Sequence, residues 1–466
     1  MSLPTRQKTR ADGTRLRVQP SGRTVRPVVP RPPVFTPPQS IEQAFHALHT
    51  FPSIHWERQG ERMALRLARF MAKTVPAYQA QLRASGLGEK AIRSMEDFRQ
   101  LPVLDKATYI TKHSFEDLFP HRDVSGIATI SSTSGSTGEP AYFPRGEAQD
   151  AGHDYVHELF LANQFEVVKK RTLCVVGFGL GIWIGGILWF KTVNRLAKKG
   201  YPISAAPVGP NVDTYLGVVS RFGRHYDQIL LIGYPPFIKD VLDEGIRRGI
   251  DWGQYTVKIL MAAEGFSEDF RDYLAKQAHL KNAVADTINI YGTVELGTMA
   301  HETALTNLIR KVALEHPRLY KDLFPCANRL PTLAQYHPYL TYFEEVNGEV
   351  LATGYGSSIP LVRYRFPDRG GVIPFDRMLE LFRDHGLDLL ELARKSNVAD
   401  TIMKLPFVYV YERADQALSL MGLLIYPEYV KAGLLREDVQ EEVTGKFTML
   451  KQEDKQLNAR FELHVE

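Results

Sequence analysis

The pattern of hydrophobic and polar positions predicts short buried strands that alternate with helices. Apolar runs of strand length occupy residues 228–233, 258–263 and 286–291. Residues 235–248 and 267–277, which follow the first two runs, have helical spacing. Such alternation implies right-handed crossovers between parallel strands. We therefore expect an α/β fold: a large N-terminal domain of mixed and parallel sheets with helices, followed by a small α+β C-terminal domain that the chain contains only in part.

Residues 1–40 are predicted to be a basic, proline-rich, disordered tail. Residues 1–33 contain seven Arg and one Lys against one Asp, and they offer few large apolar side chains to bury. The prolines also argue against the amphipathic helix of a transit peptide. They are Pro4, Pro20, Pro27, Pro30, Pro32, Pro33, Pro37 and Pro38. We expect a large domain over residues 41–412 and a partial small domain over residues 413–466.

The sequence predicts the local structure of two further segments. Leu173–Phe190 contains eighteen residues without a charge, which barely reaches the length of a membrane-spanning helix. Its five glycines favour instead a buried strand, a glycine-rich loop and a helix from about Gly186 to Gly200. Ser94 is a good N-cap and predicts a short helical turn after it.

Composition narrows the class of protein. The chain of 466 residues contains only two cysteines, Cys174 and Cys326, which argues against a disulfide framework and for a reducing, cytoplasmic location. The net charge of +4 belongs to the N-terminal tail, because the rest of the chain carries 49 basic against 52 acidic residues. A nucleic-acid-binding body is therefore not expected.

The segment Ser131–Pro140, SSTSGSTGEP, follows an apolar run at residues 126–130. Gly135 and Gly138 free the backbone to present N–H groups, and hydroxyl side chains surround them. Such a loop can wrap a polyphosphate. On composition alone we would favour a Ser/Gly-rich surface linker, so the interpretation depends on the order of the residues.

That order resembles the phosphate-binding signature of the adenylate-forming superfamily, which includes the acyl-CoA synthetases. Three further segments resemble motifs of that family in the same order: Tyr291–Glu295 (YGTVE), Pro360–Asp368 (PLVRYRFPD) and Arg413–Asp415 (RAD). The closest likeness is to phenylacetate–CoA ligases, carried by Gly177–Gly186 (GFGLGIWIGG) and Ala263–Phe270 (AEGFSEDF). Each segment alone is weak evidence, whereas four in order over about 300 residues indicate the family.

The resemblance implies roles for individual residues in binding ATP and Mg²⁺. Glu295 would bind Mg²⁺ and would act in catalysis together with Thr137 and Arg413. Asp368 would accept hydrogen bonds from the ribose, and Tyr291 would stack on adenine. The other implied nucleotide-binding positions are Thr133, Ser134, Gly135, Ser136, Gly138, Ala263, Glu264, Gly265, Gly292 and Thr293. Taken singly, Glu295, Asp368 and Arg413 would be better explained as surface or turn residues; taken in the order of the family motifs, their functional roles are favoured.

The resemblance also implies the reaction. A substrate carboxylate would attack the α-phosphorus of ATP, and a thiol, most simply that of CoA, would then take the acyl group from the acyl-AMP. The small domain would swing about a hinge at Asp415. Phe178, Gly179, Trp183 and Gly185 would line the acyl pocket and would suit an aryl or other small organic acid. Core packing would explain these aromatic residues equally well.

Several departures from the family pattern keep alternatives open. Glu139 stands where relatives often have Lys, so that Arg145 would have to supply the cation, and Val294 replaces a hydroxyl residue. Phe366–Pro367 replaces the common Thr-Gly. The chain ends after two predicted strands, before the family's catalytic lysine, and no lysine in residues 446–466 has the matching context. Two alternatives remain. The protein could transfer the acyl group or AMP to a carrier protein or other acceptor, or it could be a degenerate nucleotide-binding protein without catalysis. The chain could also form a homodimer.

Overall fold

The first described helix begins at Ile41, where the Ser40 hydroxyl accepts a hydrogen bond from the backbone N–H of Gln43 at 3.3 Å. The structure is a computed structural model, and it describes residues 40–88, 92–133, 140–327, 329–413, 418–420, 423–425, 430, 433–434, 439, 443 and 447–465, without the side chains of 412, 413, 423 and 424. The predicted N-terminal tail lies outside the described residues.

The helices follow the expected periodicity. They are α1 Ile41–Thr50, α2 Ser53–Thr74, α3 Pro76–Ala84, α4 Met95–Arg99, α5 Glu147–Phe165, α6 Ile184–Lys198, α7 Val212–Phe222, α8 Pro235–Arg247, α9 Glu268–Gln277, α10 Ala304–Glu315, α11 Pro317–Leu323, α12 Phe375–Asp384 and α13 Leu389–Lys395. Ser94 caps α4 in a capping box with Asp97, and Ser267 caps α9, as predicted.

Most of the strands form one large sheet. The strands are β1 Thr129–Ser132, β2 Tyr142–Arg145, β3 Thr172–Val176, β4 Ile203–Pro207, β5 Gln228–Gly233, β6 Val257–Ala262, β7 Thr287–Thr293, β8 Gly297–His301, β9 Thr332–Gln335, β10 Thr341–Val346, β11 Glu349–Gly354, β12 Leu361–Ile373, β13 Phe407–Arg413, β14 Leu418–Leu420, β15 Leu423–Ile425, β16 Phe447–Glu453 and β17 Ala459–Val465. The large sheet has the order β10-β11-β12-β13-β9-β8-β7-β6-β5-β3-β4.

The sheet has a parallel half and an antiparallel half that meet at β7. Strands β4, β3, β5, β6 and β7 pair in parallel, whereas β7 pairs with β8 in the antiparallel sense, as do the strands beyond it. The hairpins β1–β2, β14–β15 and β16–β17 are separate two-stranded sheets. The predicted mixed α/β architecture is therefore confirmed.

Helices cover both faces of the parallel half, which explains why its strands read as continuous apolar runs. In β5, Ile229 and Leu231 pack in a cluster with α7, α8 and α9, whereas Leu230 and Ile232 pack in a cluster with α5 and α6. Successive side chains of a strand point to opposite faces, so one apolar run supplies two cores.

The uncharged segment Leu173–Phe190 is divided between β3, a loop and α6, as predicted. All five residues of β3 are buried. Gly200 ends the helical stretch with a φ of +94°, a backbone conformation that favours glycine. Among the described helices, none combines the length and the apolarity needed to cross a membrane.

Four buried charged side chains join α9 and α10 to the centre of the sheet. Arg271 donates to Glu268 and Glu302 at 2.8 Å, and Arg310 contacts the same two carboxylates at 3.0 and 2.7 Å. None of the four side chains is more than 3% exposed. Burial opposes ionisation, but the two guanidinium groups lower the pKa of Glu268. We call these four residues the charge network.

We predict that Arg310→Leu lowers the free energy of unfolding by roughly 3–5 kcal/mol, because it leaves buried carboxylates without one of their two cations. Urea denaturation monitored by circular dichroism measures the loss. Arg377→Leu is the matched control: Arg377 pairs with Glu380 on the surface, so its replacement should cost at most about 0.5 kcal/mol. Equal losses in the two variants would contradict a structural role for the charge network.

Candidate active site

The predicted motifs meet at one edge of the sheet, where the parallel strands end. Loops follow the carboxyl ends of β3, β6 and β7, and these loops contain Phe178, Ala263–Gly265 and Glu295 respectively. Ligands bind at this edge in open α/β sheets. The sheet topology thus brings together segments that are separated by more than one hundred residues in the sequence.

The predicted phosphate loop is anchored at both ends. The Thr133 backbone N–H donates to the Ala141 carbonyl, and the Ala141 N–H donates to the Thr133 hydroxyl, both at 2.9 Å. The loop thus leaves and rejoins the body at one point. Ser134, Gly135, Ser136, Thr137 and Gly138 lie outside the described residues.

The glycine–aromatic loop after β3 lies beside β1, the strand that leads into the predicted phosphate loop. The Ser132 backbone N–H donates to the Ile182 carbonyl at 3.2 Å, which joins β1 to this loop. Leu180, Ile182 and Trp183 are all more than one-third exposed. The loop therefore presents apolar side chains to solvent next to the predicted phosphate site.

The four predicted pocket residues lie close together in two pairs. A Cβ added to Gly179 would lie 3.1 Å from the Trp183 ring, and one added to Gly185 would lie 3.2 Å from the Phe178 ring. Phe178 is buried against Tyr234, with ring centroids 4.9 Å apart. Phe178 thus packs in the core while Trp183 lies at the surface.

The loop after β6 has an unusual backbone. Ala263 has a φ of +78°, which is rare for a residue with a side chain. The carbonyl of Glu264 accepts a hydrogen bond from the Asn289 side chain of β7 at 3.0 Å, and the Phe266 carbonyl accepts one from Arg310 at 2.6 Å. Contacts with β7 and with the charge network hold this conformation.

Tyr291 and Asp368 are in direct contact although they belong to different motifs. The Tyr291 hydroxyl donates to the Asp368 carboxylate at 2.7 Å, and the half-buried Tyr291 ring stacks against Phe343 with centroids 6.2 Å apart. Asp368 pairs in register with Arg413 across β12 and β13. The Arg413 side chain and the predicted hinge residue Asp415 lie outside the described part of the chain.

Glu295 lies in the tight turn between β7 and β8. A Cβ on Gly292 would come within 2.5 Å of the Gly297 carbonyl oxygen, so glycine is required there. The Arg145 guanidinium donates to the Val294 carbonyl and so connects β2 to this turn. Thr293 also stabilises the turn, since its hydroxyl accepts from the Leu296 N–H at 3.3 Å.

Two cationic side chains, those of Arg145 and Lys106, interact electrostatically with the half-buried Glu295. Burial lowers the pKa of the Arg145 guanidinium to about 10, and the negative charges of Asp150 and Glu295 oppose this shift. Burial likewise lowers the pKa of Lys106, again opposed by Glu295. Among the described residues no group of three His, Cys, Asp or Glu is arranged to hold a metal ion. A divalent cation at Glu295 would therefore need oxygen ligands from a bound phosphate.

Lys106 is a residue of this site that the sequence did not reveal. Leu104 forms a β-bridge with Tyr364 of β12, and the carboxylate of Asp105 caps the helical turn Lys106–Ile110. This pairing delivers Lys106 to the neighbourhood of Glu295. No local pattern around residue 106 indicates it, because the contact depends on a strand more than 250 residues further along the chain.

We predict that Gly292→Ala lowers the free energy of unfolding by about 1–3 kcal/mol, because the new methyl group overlaps the Gly297 carbonyl. Gly217→Ala is the control: it lies exposed in α7 with no atom near its Cβ, and alanine should stabilise the helix by up to about 1 kcal/mol. Thermal unfolding of the two variants measures both effects. A Gly292→Ala protein as stable as the unchanged protein would mean that the turn is looser than described.

Comparison with known proteins supports the fold. No protein-family model matches the chain, and no curated protein sequence matches it. Among solved structures, 2-hydroxyisobutyryl-CoA ligase in complex with 2-HIB-AMP and CoA matches in its thioesterification state with a TM-score of 0.65 at 13% identity, over 92% of this chain and 82% of that one. An open conformation of the same ligase matches with a TM-score of 0.60 at 14% identity, over 93% and 89%.

Likeness at such identity establishes the fold, and it agrees with the order of the four motifs along the chain. The chain has the fold of the adenylate-forming acid–CoA ligases.

Proposed function

We propose that this protein activates a carboxylic acid with ATP and Mg²⁺ as an acyl-AMP and transfers the acyl group to a thiol, most simply that of CoA. The observation that carries the proposal is the hydrogen bond between Tyr291 and Asp368, at the edge where β7 also delivers Glu295. It joins two motifs that the resemblance assigned independently to one nucleotide.

Each of these groups has a defined part in nucleotide binding. The Asp368 carboxylate, oriented by the Tyr291 hydroxyl, would accept hydrogen bonds from the two ribose hydroxyls. The Tyr291 ring, backed by Phe343, offers a flat apolar surface for the adenine. The Ala263–Gly265 loop is joined to β7, the strand of Tyr291, by the hydrogen bond from the Asn289 side chain to the Glu264 carbonyl.

The phosphates would lie between the phosphate loop and Glu295. Glu295 is a hard oxygen ligand, which fits Mg²⁺ when phosphate oxygens complete the coordination, and the ion would neutralise charge on the leaving pyrophosphate. Lys106 would add a positive charge on the same side. Arg145 is bonded to the Val294 carbonyl and so contributes by holding the turn; its predicted contact with a phosphate remains a prediction.

The acid would enter beside the glycine–aromatic loop. Leu180, Ile182 and Trp183 lie exposed next to the phosphate loop, and such a surface favours an apolar or aromatic acyl group. The related fold of 2-hydroxyisobutyryl-CoA ligase, bound to 2-HIB-AMP and CoA, supports a small acid and CoA as the thiol. We therefore propose an aryl or other small organic acid.

We predict acid-dependent exchange of labelled pyrophosphate into ATP in the presence of Mg²⁺, tested over aryl, short aliphatic, fatty and amino acids. Glu295→Gln should lower the exchange rate roughly 100-fold, because it removes a charge that acts on the leaving phosphates. Glu315→Gln, an exposed residue at the end of α10, should leave the rate unchanged. Folded protein that binds ATP but gives no exchange with any acid would contradict the proposal and favour a nucleotide-binding protein without catalysis.

We predict that Asp368→Asn weakens ATP binding roughly tenfold, since hydrogen bonds to a charged group contribute about 1.5–3 kcal/mol. Isothermal titration calorimetry measures the dissociation constant. Asp322→Asn is the control, because Asp322 is exposed and pairs only with a surface histidine in the described structure. Equal affinity in the Asp368 variant would remove this carboxylate from the nucleotide site.

A further inference from the structure

The terminal hairpin, β16–β17, is a regular antiparallel pair with a closed turn. Its register runs from Phe447 opposite Val465 to Glu453 opposite Ala459. In the turn, the backbone N–H of Asn458 donates to the Asp454 carboxylate at 3.0 Å, and its side-chain amide donates to the same carboxylate at 2.9 Å. The hairpin can therefore act as one rigid body.

Lys451 connects this hairpin to the candidate nucleotide site. Its ammonium forms an ion pair with the carboxylate of Glu264, in the loop after β6. The Glu264 side chain is 1% exposed and that of Lys451 is 23% exposed. A buried carboxylate loses its hydration, so a neighbouring cation is needed to keep it charged at moderate cost.

A second contact holds the turn of the hairpin against α8. Lys239, whose side chain is 2% exposed, donates to the Asn458 side-chain oxygen and to Asp243, both at 2.6 Å. Leu457 packs against the apolar cluster beneath α7, α8 and α9. These contacts fix the hairpin at its turn, while Lys451 fixes the middle of β16.

Glu264 is held from two sides. Its backbone carbonyl accepts from Asn289 of β7, and its side chain pairs with Lys451 of the hairpin. The residue before it, Ala263, has a φ of +78°. Such a conformation is strained for a residue with a side chain and persists only where surrounding contacts impose it.

The Lys451 ammonium offsets the negative charge of neighbouring carboxylates. Burial raises the pKa of Glu453; Lys451 opposes this, and the negative charges of Asp269 and Glu264 add to it. Among the described residues, Asp269 and Glu264 therefore act on the Glu453 carboxylate, and Lys451 opposes their effect. Removal of the ammonium would leave like charges close together, one of them on a side chain that is almost fully buried.

We propose that Lys451 is a positioning residue: its pairing with Glu264 couples the docked hairpin to the 263–265 loop and so holds that loop in its nucleotide-binding conformation. The link to nucleotide rests on the proposed function, whereas the coupling between hairpin and loop does not. When the hairpin leaves, the Glu264 carboxylate loses the ammonium and the strained backbone at Ala263 loses a restraint. Nucleotide affinity therefore depends on the position of the hairpin.

Hydrogen exchange followed by mass spectrometry tests the coupling in the unliganded full chain. Lys451→Met should raise the exchange rate roughly tenfold or more both in the hairpin, 447–465, and in a peptide covering 257–266. Lys451→Arg keeps the charge and should exchange like the unchanged protein. Lys311→Met, which removes a surface pair with Asp272, should alter neither segment.

The double variant Lys451→Met with Glu264→Gln separates coupling from simple loss of docking. Glu264→Gln breaks the same pair from the loop side and should by itself raise exchange in both segments, and the double variant should exchange no faster than Lys451→Met. AMP affinity should fall in Lys451→Met and stay unchanged in Lys451→Arg. Faster exchange in the hairpin alone, or additive increases in the double variant, would overturn the proposal. If the unchanged protein binds no AMP, the proposed function fails while the exchange data still decide the coupling.

Discussion

The charge network of Arg271, Arg310, Glu268 and Glu302 is the constraint on which the rest of the structure depends. Two cations and two anions lie almost wholly out of water, and each compensates the desolvation of the others. The network also satisfies backbone groups: the N–H of Asn289 donates to Glu302 at 2.9 Å. Helices α9 and α10 are thereby joined to β7, at the line where the sheet changes from parallel to antiparallel pairing.

Strand β7 connects the charge network to the candidate site. Asn289 lies at the network, Tyr291 contacts Asp368 two residues later, and Glu295 lies in the turn that follows. The spacing of two residues places Asn289 and Tyr291 on the same face of the strand. A displacement of β7 would therefore move the loop after β6 and the groups around Glu295 together. The base of the site is held in place for this reason, and the two ends of the phosphate loop, Thr133 and Ala141, are hydrogen-bonded to each other.

The terminal hairpin contacts the loop after β6 through the ion pair between Lys451 and Glu264 rather than through a large apolar interface. An ion pair that depends on burial is strong while the two surfaces meet, and it weakens when water enters. Lys451 and Lys239 thus hold the hairpin by polar contacts, whereas apolar clusters hold the elements around β5. The difference lies in the physical chemistry of the contacts and follows from which residues the hairpin presents.

Much of the fold was determined by local pattern. The apolar run of β5, the N-cap at Ser267 and the alternation of β16 each specify an element by themselves, because periodicity and capping act within a few residues. The motifs likewise indicated Asp368 as a site residue, although its role is a proposal. Tertiary structure determined which residues from distant parts of the chain contact one another. The proximity of Lys106 to Glu295 and the pairing of Lys451 with Glu264 depend on sheet order and on docking. These join residues that are far apart in the chain, and no short-range pattern encodes such contacts.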